Sequence, residues 1–265
     1  MTSLESKLNR NRVAGRKILS VFITAGLPSP EVVSPLVRGL ADAGADIVEL
    51  GVPFSDPIAD GPVIQASSSR ALRMGVTPSG VFSMVREIRK ITDIPVILMG
   101  YANPFLSYGL DACLRDAASA GVDGMIVPDL PPEESASYRA AALAAGVSTI
   151  FLVAPTTPDE RIGEIDGLST GFVYGVATIG VTGARDHISD DTLRFLRRAR
   201  RSVTRHPLLA GFGIADPASA RAIASLCDGV IVGSAVVSRL GDADPAGGIR
   251  SATDFTASLR RSLDS

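Results

Sequence analysis

Eight short apolar runs rich in Val, Ile and Leu recur along the chain, at residues 18–24, 45–52, 95–99, 124–127, 149–153, 171–177, 207–212 and 229–232. None alternates cleanly between apolar and polar residues. Continuous apolar runs read as strands buried on both faces, the habit of parallel sheets. Their length and β-branched content favour strand over buried helix. The spacing is even except for one wider gap, between the second and third runs.

Segments with helical periodicity lie between the runs. Residues 30–43 align Val32, Val33, Leu36, Val37 and Leu40 along one stripe. Residues 77–90 open with Thr77-Pro78, a cap followed by the residue best tolerated in a first helical turn. Residues 132–145, 157–165, 190–203 and 216–226 follow the same pattern, and the tail 241–265 reads as a polar turn and a final helix. Ala43-Gly44, Ala120-Gly121 and Ala145-Gly146 mark helix ends, where glycine takes the left-handed conformation cheaply.

Strand and helix alternating through eight strands in 265 residues predict an α/β fold, a (β/α)₈ TIM barrel. No linker or low-complexity segment divides the chain, so residues 1–265 are expected to form a single domain. An open doubly wound sheet would usually carry a Gly-rich phosphate loop after its first strand. Thr24-Ala25-Gly26-Leu27-Pro28 is not such a loop.

The 26 basic and 28 acidic residues leave a formal charge of −2, which gives no general field for nucleic acid or an anionic membrane. Residues 1–17 are polar and lack a signal-peptide core, and no run reaches membrane-span length; a cytoplasmic protein is expected. Cys113 and Cys227 match no metal or redox spacing and are expected to be small buried residues. His187 and His206 are isolated, so neither histidine catalysis nor a metal site is expected. Arg194, Arg197, Arg198 and Arg201 read as a solvated helix face.

Active sites of such barrels lie at the C-terminal ends of the strands. The second run, Ala45-Asp46-Ile47-Val48-Glu49-Leu50-Gly51-Val52, holds one carboxylate among apolar residues. Burying a charge costs several kcal/mol unless it is paired or neutralised. A buried salt bridge is the structural alternative, but the strands carry almost no basic residues. If Val48 and Leu50 pack on helices, Glu49 faces the lumen with Ile47 and Gly51. The loop that follows, residues 53–62, is stiffened by Pro53, Pro57 and Pro62 and carries Asp56 and Asp60. Spacing leaves these two level, each a candidate either for chemistry or for a turn. Gly-containing turns follow the last three runs: Gly180-Val181-Thr182-Gly183-Ala184, Gly211-Phe212-Gly213-Ile214 and Gly233-Ser234-Ala235. Backbone N–H groups there, with a nearby hydroxyl, suit a phosphate.

The run Glu49-Leu50-Gly51-Val52-Pro53-Phe54-Ser55-Asp56-Pro57, then Ala59-Asp60-Gly61-Pro62, resembles the signature of the tryptophan synthase alpha chain family. So do Phe22-Ile23-Thr24-Ala25-Gly26, Tyr101-Ala102-Asn103-Pro104, Pro128-Asp129-Leu130-Pro131 and the three Gly-containing turns, in order along nearly the whole chain. The resemblance implies retro-aldol cleavage of indole-3-glycerol phosphate to indole and glyceraldehyde 3-phosphate, within L-tryptophan biosynthesis. It implies Glu49 as the acid/base and Asp60 as the partner of the indole N–H. It further implies Phe22, Ile64, Tyr174 and Phe212 as the indole pocket, and Gly183, Gly213, Gly233 and Ser234 as the phosphate site. Gly211 counts among the substrate-binding positions, and Thr182 sits on the family's lid.

The same resemblance implies no cofactor in this chain, with pyridoxal phosphate in a partner beta chain of an alpha2-beta2 heterotetramer. Pro53 and Asp56 match the loop that docks on that partner. Two positions depart from the pattern: Ala177-Thr178-Ile179 replaces the usual Ser-Arg pair before the lid, and Leu27 stands where many members have Asp. Two alternatives remain beside the subunit reading. One is a stand-alone lyase that releases indole; the other is a weakly catalytic subunit that activates a beta chain.

Overall fold

The structure, a computed structural model, describes residues 3–176, 188–211, 213–241 and 244–265. Its strands are β1 (Ile18–Thr24), β2 (Ile47–Gly51), β3 (Val96–Met99), β4 (Gly124–Ile126), β5 (Ser148–Val153), β6 (Val173–Val176), β7 (Leu208–Gly211) and β8 (Gly229–Val232). Each pairs in parallel with the next, and β8 pairs back on β1, which closes the barrel. All eight apolar runs are therefore strands, trimmed by a residue or two at several ends.

Alternation divides each strand between two layers. Leu19, Val21 and Ile23 of β1, with Val48 and Leu50 of β2, pack under the helices. Ile18, Ile47, Ile97, Ile126, Leu209 and Ile231 fill the lumen. Glu49 shares the parity of Ile47 and so faces inward, as expected.

The expected helices form with small corrections. Residues 30–43 and 132–145 open as 3₁₀ turns, Pro30–Val32 and Pro132–Glu134, before the α-helices Val33–Asp42 and Ala136–Ala145. Thr77 caps the helix Pro78–Arg89 through its side chain. Gly44, Gly121 and Gly146 all have positive φ, as their place after helix ends requires. Several helices escape the periodicity reading: Ser3–Val13, Pro62–Arg73, Ala102–Tyr108, Ser234–Val237 and Leu110–Ala120, of which only the end at Ala120-Gly121 is marked. Pro62–Arg73 fills the wide gap between β2 and β3, its pattern obscured by Ser67-Ser68-Ser69. Ser3–Val13 is mostly polar, but its Leu4 and Leu8 are fully buried and join the lumen cluster at the lower end of the barrel.

That lower end is held by polar contacts. Asp46 accepts the Leu19 N–H at 2.9 Å, Arg260 Nη1 at 3.1 Å and Asn11 Nδ2 at 3.1 Å. Asp166 is buried and accepts the N–H groups of Thr204, Arg205 and His206. His206 is not isolated: its Nδ1 lies 3.1 Å from Asp166 Oδ1, and its Nε2 lies 3.5 Å from Glu5 Oε1. The expectation failed because those partners come from distant parts of the chain. The cluster precedes β7 and so sits at the end opposite the strand C-termini. His187 lies outside the described residues. Both cysteines are buried. Arg194, Arg197 and Arg201 are exposed, whereas Arg198 is half-buried and donates to the Pro155 carbonyl at 2.7 Å.

Candidate active site

Glu49 ends up with no solvent exposure, in the lumen just below the strand C-termini. Ser20 Oγ donates to its Oε1 at 2.7 Å. Its Oε2 has no hydrogen-bond partner among the described residues. Burial pushes the carboxyl up to about 7, and the Ser20 bond pulls against that rise. A carboxyl at this value is divided between its acid and base forms near neutral pH.

The loop after β2 is anchored at several points. Ser68, in the helix Pro62–Arg73, accepts the Phe54 N–H at 2.8 Å and donates to the Phe54 carbonyl at 3.0 Å. The Tyr101 hydroxyl accepts the Ala59 N–H at 2.9 Å. Gln65 Nε2 donates to the Asp60 carbonyl at 2.8 Å. These bonds hold the Asp60 side chain over the barrel mouth, half-buried. Burial raises its pKa to about 6, against a hydrogen bond from Tyr101 that lowers it. The Tyr101 hydroxyl is itself pushed up to about 12, by burial and then by the Asp60 charge.

Asp60 faces a cavity of about 280 Å³ lined also by Phe22, Ile64, Tyr174, Gly213, Gly233 and Ser234. The structure thus separates the two loop carboxylates that spacing leaves level: Asp56 is exposed and bonded to the Ser55 hydroxyl. Pro53 is buried at the start of the same loop. Two glycines shape the walls rather than line them. A Cβ on Gly51 would lie 2.4 Å from the Phe22 ring, and one on Gly211 would lie 2.5 Å from the Tyr174 hydroxyl. Both rings lean where a larger residue would displace them. Glu49 lies beneath the cavity rather than on its wall.

Among the described lining residues there is no Lys or Arg, so an anionic group at this mouth would meet backbone N–H groups and the hydroxyls of Ser234 and Ser238. Thr182, Gly183 and Phe212 lie outside the described residues. No group of three or more His, Cys, Asp or Glu among the described residues is arranged to hold a metal. No helix among them is long and apolar enough to cross a membrane. Ser20, Ser68 and Tyr101 contribute to the site without having been singled out as site residues. Ser20 had one signal, a polar residue on the lumen parity of an apolar run. Tyr101 had another, its place two residues past the end of the third run.

A family model described as "Tryptophan synthase alpha chain" matches residues 8–261. The alpha chain from Geotalea daltonii is 48% identical over 232 residues, which cover 88% of this chain and 86% of that one. The alpha chain from a Picosynechococcus species is 45% identical over 264 residues, covering 99% of this chain and 100% of its own. The crystal structure of tryptophan synthase subunit alpha from Legionella pneumophila superposes with a TM-score of 0.88 at 37% identity, covering 100% of this chain and 99% of that one.

Proposed function

The chain belongs to the tryptophan synthase alpha chain family, and from that premise we propose that it is a carbon–carbon lyase that cleaves indole-3-glycerol phosphate to indole and glyceraldehyde 3-phosphate. The observation that carries this reading is the pairing of two carboxyl groups in unlike settings. One is sealed in the lumen with a pKa near 7, and the other is half-buried on an apolar cavity with a pKa near 6.

The chemistry asks for two proton movements. A proton must reach the indole carbon that bears the side chain, and a proton must leave the hydroxyl on the adjacent glycerol carbon. The bond between those carbons then breaks, its electrons return to the ring, and the hydroxyl carbon departs as an aldehyde. Glu49 suits both transfers, since one group poised near neutrality gives a proton and takes one back. For this, its carboxyl must turn from Ser20 toward the cavity. Asp60, mostly ionised above its pKa, accepts the ring N–H and stabilises the positive charge that develops on the protonated ring. Phe22, Ile64 and Tyr174, with Phe212, pack the ring. Gly213, Gly233 and Ser234, with Gly183, hold the phosphate, and Thr182 belongs to the closing lid.

The same reading requires no cofactor in this chain and assigns pyridoxal phosphate to a partner beta chain, in an alpha2-beta2 assembly in the cytoplasm. The loop with Pro53 and Asp56 faces that partner. Its exposed Ile58, at 84% of full accessibility, is an apolar contact point of the kind such a surface needs. Steady-state cleavage of indole-3-glycerol phosphate, with and without a beta chain, tests this. The subunit reading expects slow cleavage alone that rises strongly with the partner. Fast cleavage without partner supports a stand-alone lyase. A lack of cleavage in both conditions overturns the lyase reading.

A further inference from the structure

Ser20 is a hydroxyl among the lumen residues Ile18, Ile47, Ile97, Leu209 and Ile231. It has no solvent exposure, and packing alone would favour an aliphatic residue there. On β1 it sits one lumen step below Phe22, the residue in register with Glu49, while Ser20 itself is in register with Ile47. Its hydroxyl reaches up to Glu49 Oε1, at 2.7 Å. That is the one hydrogen bond described for the Glu49 carboxyl, since Oε2 is left without a partner. A donor to a buried carboxylate favours its charged form, and a single donor in a dry site has no neighbour to share that work.

We infer that Ser20 is the positioning residue of Glu49: its hydroxyl holds the carboxyl down in the lumen, below the cavity, and sets the pH at which it ionises. The inference deepens the lyase reading, and its kinetic consequence rests on that reading. The titratable group that feels the Glu49 charge is Tyr174 on β6, which also feels Asp60 on the loop after β2, among the described residues. Strands β1, β3, β7 and β8 turn the apolar Phe22, Ile97, Leu209 and Ile231 inward. Ser20 is therefore the group whose removal changes the ionisation of Glu49 without changing the charge of its surroundings.

The test uses the full chain labelled with carbon-13 at its glutamate carboxyls. The Glu49 resonance is identified by its loss in Glu49→Gln, and folding of every variant is checked by near-ultraviolet circular dichroism. Ser20→Ala and Ser20→Val both remove the donor; one leaves a gap and the other fills it. Each is expected to move the Glu49 titration upward by about one to two pH units. Ser20→Thr, which keeps the hydroxyl, is expected to titrate near the parent chain. Donor-less variants that keep the parent midpoint overturn the inference, as does a Ser20→Thr midpoint that moves with theirs. In kinetics, kcat/KM follows the free protein, and its alkaline limb, where Glu49 loses the proton it must give, moves to higher pH with the same variants. A chain that cleaves no substrate in any form, yet shows the shifted midpoint, supports the Ser20 assignment and removes the lyase reading.

Discussion

A carboxyl with no exposure and one hydroxyl for company ionises against its surroundings. Its folded pKa, about 7, lies above the ordinary 4.5. Between those values the folded chain binds more protons than the unfolded one, so stability falls as pH rises through that window. Near pH 8 the ionised group costs about 3 kcal/mol, a cost absent below pH 4. Glu49→Gln is accordingly expected to unfold at higher urea than the parent near pH 8, with no such gain near pH 4. The same substitution is expected to lower kcat at least about 100-fold, with little change in substrate binding, when steady-state kinetics are compared. A near-normal kcat contradicts the acid/base role. Glu49 was legible in the sequence because a charge inside an apolar strand is hard to explain by packing. Asp60 was not separable from Asp56 by spacing, because only the fold shows which one turns over the mouth. Ser20 was not legible as its partner, because strand pairing brings together residues 29 positions apart.

Loops hold a side chain only as firmly as they are held themselves. Here the β2 loop is tied to the next helix by both bonds of Ser68 to the Phe54 backbone. Ser68→Ala leaves that N–H and carbonyl without their partner and is expected to cost about 1–2 kcal/mol in a denaturant titration. Because Asp60 rides on the same loop, kcat/KM is expected to fall as well; full activity with the expected loss of stability would detach Asp60 from this anchor. The eight strands and most outer helices could be read from hydrophobic period alone. The helix that carries Ser68 could not, because its Ser-rich middle hides the stripe. The helix Ser3–Val13 could not either, because two buried leucines make no period. Such elements are defined by what they meet in space.

The barrel divides its labour between its two ends. At the lower end, burial would raise the Asp166 pKa, but His206 and three backbone N–H groups outweigh it and hold the carboxyl below its usual range. The Asp166 carboxylate, against the opposing effect of burial, holds His206 above its ordinary 6.5. A raised histidine stabilises the fold fully below its unfolded pKa and loses that contribution as pH rises through the folded one. His206→Ala is therefore expected to lower the unfolding free energy more near pH 6 than near pH 9, and equal losses at both would remove the charged pair from the account. Activity measured at constant folded fraction is expected to be unchanged, since the pair lies at the far end from the cavity. Leu4 and Leu8 close that far end with hydrocarbon. A vessel stoppered at its base opens, among the described residues, at its other end, and a guest standing there screens Glu49 from the bulk. The hydrogen that Glu49 already carries when the guest arrives then stays in private custody until it is passed to the ring carbon. A brief pulse of heavy water at binding, chased into light water before turnover, is expected to leave deuterium on the released indole.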